Sequence, residues 1–105
     1  MALFADDSEE AAAYHACRIA PIGTPIPVEQ LARGGAYASS LAWSGHLARH
    51  GKPATMEKAC HVVSDAADAF IDHTAQSHAM DADAVDAAKH QATDQYSAAL
   101  RELYG

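Results

Sequence analysis

Apolar residues recur at three- and four-residue spacing within four stretches of this chain, and each stretch is bounded by a residue that starts or stops a helix. Asp7 or Ser8 can cap the first, which carries Glu9 and Glu10 in its opening turn and runs through Ala11 to Ala20 before Pro21 ends it. Pro27 suits the first position of a second helix, in which Val28, Leu31, Ala38, Leu41, Ala42, Gly45 and Ala48 mark an inward stripe up to the stop at Gly51-Lys52-Pro53. Thr55 caps a third, with Met56, Cys60, Val63, Ala67, Phe70, Ile71 and Thr74 on one face and His61, Asp65, Asp68 and Asp72 on the other. After a turn at Ala79-Met80-Asp81, Asp81 or Asp83 caps a fourth, which turns Val85, Ala88, Ala92, Tyr96, Ala99, Leu100 and Leu103 inward. No segment alternates apolar and polar residues as a strand does. The pattern predicts an all-α fold, a single small domain over 1–105 built as a four-helix antiparallel bundle.

Two places interrupt the pattern. Pro21 to Pro27 holds three prolines and a glycine in seven residues, which forbids helix and predicts an extended connection pinned by Ile22 and Ile26. Gly34-Gly35 falls inside the second helix, where it predicts a bend or a break between two shorter helices, or else a place where another backbone comes close. Residues 1–7 precede the first cap and are expected to be flexible.

Composition changes the picture of the core. Twenty-six residues are alanine and only 20 are Val, Ile, Leu, Met, Phe or Trp. Alanine costs a helix no side-chain entropy but buries little apolar surface, so the helices should pack closely around a thin core, and a homodimer or another partner is expected to add to it. The net charge of −7 disfavours nucleic acid and anionic membranes as partners. Seven histidines would bring that charge to zero if all were protonated, so association should respond to pH. Cys17 and Cys60 are too few and too far apart for a disulfide scaffold or a zinc finger. The start of the chain lacks a basic and then apolar leader, and no apolar run has membrane-spanning length, which predicts a cytoplasmic protein.

Candidate chemistry is sparse. His46 and His50 stand four apart, so both imidazoles can project from one helix face toward a divalent transition metal, although two ligands do not complete a site. The Glu-x-x-His spacing of di-iron bundles is absent, since Glu57 leads to Cys60 at three and His61 at four. Cys60 and His61 are neighbours on a helix and diverge by about 100°, which denies the thiol a base. Gly34-Gly35 lacks the Lys-Ser/Thr context of a phosphate loop.

Charge distribution says more. Between His61 and Ser97 there are seven aspartates and one base, Lys89, while Arg49, Lys52 and Lys58 gather at the preceding turn. Asp65, Asp68, Asp72, Asp83 and Asp86 are therefore the candidate residues for docking on a basic protein surface, and Trp43 is a candidate for either the core or that interface. Trp43-Ser44-Gly45 resembles the turn motif of the WXG-type secreted helical hairpins, a likeness of three residues that would place a turn there. The chain departs from that family at Pro21 to Pro27, at Gly51 to Pro53, and at Leu100, where an acid should follow Tyr96 by four. Together these features predict a small acidic protein without enzymatic activity that binds another protein as a regulator, inhibitor or immunity-type factor. The alternative is a metal-binding or metal-responsive bundle using His46 and His50.

Overall fold

The computed structural model describes residues 2–104 and contains α1 (Glu9–Ile19), α2 (Val28–His50), α3 (Met56–Ser77) and α4 (Ala82–Tyr104), with no strand among the described residues. Three of the helix starts are capped by the side chains the sequence singled out. The Ser8 hydroxyl accepts the Ala11 N–H at 3.1 Å, Thr55 accepts Lys58 N–H at 3.2 Å, and the Asp81 carboxylate accepts Ala84 N–H at 2.8 Å. Each bond satisfies a donor that the first turn leaves open. α2 has no such bond: Pro27, expected at the first helical position, stands one place earlier as the N-cap and makes no side-chain cap hydrogen bond.

Successive helices run antiparallel. The Tyr37 hydroxyl meets Asp6, Arg33 lies 3.7 Å from Glu9, and the Gln30 amide reaches the Cys17 sulfur, so α1 passes down α2 in reverse order. One core cluster joins Leu31 and Ala32 of α2 to Ile71 of α3 and to Ala88 and Ala92 of α4. A second joins Trp43 to Ala59 and Val63, and to Tyr96 and Leu100. These pairings set α3 against α2 and α4, which run the same way. Only α2 packs broadly on all three other helices.

That central place explains Gly34 and Gly35, where the expected bend or break does not occur. α2 is continuous from Val28 to His50, and both glycines are buried. A Cβ on Gly35 would lie 2.8 Å from Ile71 Cδ1 and 2.9 Å from its Cγ1, and one on Gly34 would lie 2.8 Å from the Phe70 ring and 3.4 Å from Tyr14 Cα. The glycines are there because α1 and α3 come too close for a side chain. The predicted stripe on α2 shifts for the same reason. Leu41 and Ala48 are exposed, while Ser39 and Ser40 are buried, with the Ser39 hydroxyl donating to Ala36 O at 2.6 Å and Ser40 Oγ accepting Phe4 N–H at 3.1 Å. A helix covered on three sides has no single apolar face for periodicity to reveal.

The described part of the 1–7 segment, expected to be flexible, lies along α2 through Phe4 and Asp6; Met1 falls outside the described residues. In the Pro-rich connection Ile26 is buried as expected, but Ile22 is 87% exposed. The α2–α3 loop is closed by α4, since the Tyr104 hydroxyl donates to Pro53 O at 2.6 Å and Lys52 donates to Leu103 O at 3.1 Å. No helix among the described residues is long and apolar enough to cross a membrane.

Candidate functional site: the acidic seam of α3 and α4

The five aspartates named from the sequence lie outward on the antiparallel α3–α4 pair; Asp68 is half-buried and the other four are exposed. Their position follows from helical geometry. With Val63, Ala67 and Ile71 fixed inward, Asp65, Asp68 and Asp72 must fall on the flank away from the core, and Ala88 and Ala92 do the same for Asp86. Lys89 stands at the seam, its ammonium 2.9 Å from Asp72 Oδ1 and 3.1 Å from Oδ2. The hydrogen bond to Asp72 holds the Lys89 ammonium protonated above the ordinary lysine range, against a smaller opposing effect of burial, and the charges of Asp72, Asp68 and Asp86 add to it. Asp68, Asp72 and Asp86 thus converge on one cation, while Asp65 and Asp83 extend the negative surface beyond it. Farther along α4, His90 lies 3.8 Å from Asp94 with both side chains exposed.

The remaining candidates separate. Trp43 is 1% exposed, inside the second core cluster in a T-shaped arrangement with Tyr104, so it anchors the core and offers no surface to a partner. Its indole N–H has no partner among the described residues. Trp43-Ser44-Gly45 lies within α2 and makes no turn, contrary to what the WXG resemblance implies. His46 and His50 do share a face, with ring centroids 5.0 Å apart. No group of three or more His, Cys, Asp or Glu placed to hold a metal occurs among the described residues, so the pair acquires no third ligand there. Cys60 is half-buried and Cys17 is buried, and burial pushes the Cys17 thiol up, away from the reactive thiolate.

One feature had no signal in the sequence. Between the end of α1 and the end of α3 lies a cleft of about 440 Å³, walled by Tyr14 and Phe70 and reached by Arg18, Thr74 and His78. Its two walls are some 55 residues apart in the chain, and only the packing of α1 along α2 brings them together.

The fold and its seam define a small all-α protein with a close-packed central helix and an acidic flank. Residues 24–102 match the family described as virulence factor CipC-like, and the chain belongs to that family. The matched segment takes in α2, α3 and nearly all of α4, and begins after α1. No curated protein and no solved structure matches the chain.

Proposed function

We propose that this protein acts by binding another protein, without chemistry of its own, and that the outer flank of α3 and α4 docks on a basic surface of the partner. The observation that carries this reading is the convergence of Asp68, Asp72 and Asp86 on Lys89, with Asp65 and Asp83 extending the same negative surface. One lysine leaves that surface strongly negative, and such a surface steers a basic partner and speeds its encounter. Self-association belongs to the same reading, because a core this rich in alanine gains from further burial; sedimentation equilibrium at micromolar concentration measures it.

The test uses Asp65, Asp83 and Asp86, which carry no cap or ion pair on which the fold depends. Partners are first captured from host extract with the wild-type chain and identified by mass spectrometry. The triple variant Asp65→Lys, Asp83→Lys, Asp86→Lys should keep its helical circular dichroism and associate with the captured partner at least about tenfold more slowly, with the difference shrinking at high salt. An unchanged association rate would remove the acidic flank from the function. The metal reading ranks second because His46 and His50 would need further ligands from outside the chain; elemental analysis of untagged protein decides it.

A further inference from the structure

We propose that the cleft between α1 and α3 binds a small hydroxylated aromatic carboxylic acid. The cleft lies where α1 stops at Ile19, ahead of Pro21, beside the last turns of α3. The connection then crosses the gap and is fastened on the far side: Gly23 N–H donates to Ser77 O at 2.9 Å, and His78 Nδ1 lies 2.7 Å from Thr24 O. Two bonds from one short loop to the end of α3 hold the opening in place before any ligand arrives. A volume of about 440 Å³ is in the range of small-molecule sites.

Its lining selects the ligand. Tyr14 and Phe70 stack on each other with ring centroids 5.0 Å apart and planes at 24°, and this pair borders the cleft with aromatic carbon from both α1 and α3. Ile22, 87% exposed, stands at the lip with no protein surface to cover it. Both suit an aromatic ring. Two polar side chains of largely buried residues open onto the cleft. Thr74 is 7% exposed, and its hydroxyl makes no hydrogen bond among the described residues. His78 is 4% exposed; a carbonyl can only accept, so Nδ1 carries the proton toward Thr24, and Nε2 makes no hydrogen bond among the described residues. A ligand hydroxyl can bond to Nε2 while Thr74 bonds to it in turn.

The charge at the mouth is opposite to that of the rest of the molecule. In a chain of net charge −7, no residue lining this cleft is Asp or Glu, and Arg18 and His73 are among those that do. The Arg18 guanidinium lies 5.6 Å from the centroid of the Tyr14 ring and makes no ion pair among the described residues, so its donors are open to a carboxylate. Cys17 contributes an uncharged thiol to the wall, because burial raises its pKa, and the binding involves no covalent step. The cleft is separate from the α3–α4 seam, and neither proposal depends on the other.

The experiment is a titration of the whole 15N-labelled chain with 4-hydroxycinnamate, followed by amide chemical shifts. Saturable shifts confined to residues 14–24 and 70–78, with a Kd below about 1 mM, are the expected result. Arg18→Gln should weaken binding about tenfold, since a charge-assisted bond to the carboxylate is lost, and Thr74→Val by several-fold, with amide signals of the free protein changed only beside residue 74. Cinnamate, which lacks the hydroxyl, and 4-hydroxycinnamyl alcohol, which lacks the carboxylate, should both bind more weakly than the parent. The proposal is overturned if no shifts appear at about 5 mM, if they map elsewhere, if Arg18→Gln binds as well as the wild type, or if inorganic phosphate alone gives the same shifts with the same affinity.

Discussion

The two halves of α2 solve the packing problem in opposite ways. From Leu31 to Ser40 the helix is wedged between α1, α3 and α4, and its buried positions there are mostly glycine, alanine and serine. Past Ser40, α1 has ended and only Leu3 of its leading segment reaches α2's neighbours, so the space is filled by bulk, with Trp43 fully buried and Leu47 packed beside it. Side-chain size along one helix thus records how many neighbours press on each turn. At Gly34 and Gly35, where α1 and α3 press on α2, a methyl group is too much; where α1 has ended, an indole fills the space. Interiors pack near crystal density, so each half has little tolerance for the other's solution.

Exchanging the two solutions gives the largest expected effects. Trp43→Ala should cost about 3–5 kcal/mol in urea unfolding, since it empties the centre of the second cluster. Trp43→Phe should cost far less, because it keeps most of the ring and removes an indole N–H that has no partner. If Trp43→Ala costs under about 1 kcal/mol, the bulky half is not holding the bundle together.

In the other half, Gly35→Ala is the informative change. Helix propensity alone favours it by about 1 kcal/mol, but the added methyl runs into Ile71, which is fully buried and cannot move aside. Overpacking should win and leave the variant about 1–2 kcal/mol less stable. Gly34→Ala should be milder, since the half-buried Phe70 ring has room to turn. Ile71→Ala removes both the Cδ1 atom at 2.8 Å and the Cγ1 atom at 2.9 Å, so Gly35→Ala with Ile71→Ala should be more stable than the sum of the single changes. Simple additivity would show that close approach is not what excludes the side chain.

Smaller effects test the edges of the comparison. Tyr37→Phe deletes the 3.0 Å bond to Asp6 and should cost about 1 kcal/mol, while amide exchange near Phe4 speeds up. Lys89→Met should cost no more than about 1 kcal/mol, because its pair with Asp72 is partly solvated. The pKa of Lys89 is raised in the folded state, so the pair's contribution is complete below the ordinary lysine pKa and is lost as pH rises through the higher folded value. The stability gap between wild type and Lys89→Met should therefore be flat across neutral pH and close only in strongly alkaline solution.

Much of this architecture is written locally. Ser8, Thr55 and Asp81 each announce a helix start through a hydroxyl or carboxylate that reaches two or three residues ahead. Pro21 and Gly51 announce the stops, and the stripes on α3 and α4 point inward as their spacing requires, because each of those helices keeps a solvent-facing side. The outward placement of Asp65, Asp68, Asp72, Asp83 and Asp86 follows from the same periodicity.

Other features depend on distance between elements, which no local pattern carries. Gly34-Gly35 reads equally well as a break or as a close approach until Ile71 and Phe70 are seen against it. Trp43 reads equally well as core or interface until α4 brings Tyr96 and Leu100 beside it. The cleft has no trace in the sequence, since Arg18 and His78 are far apart in the chain and meet only because α1 folds back along α2. Helix starts, stops and faces come from interactions within a turn or two, so the sequence determined them alone. Which side chains a buried helix must give up, and where a gap is left between helices, depends on several elements packing at once, and only the tertiary structure decided it.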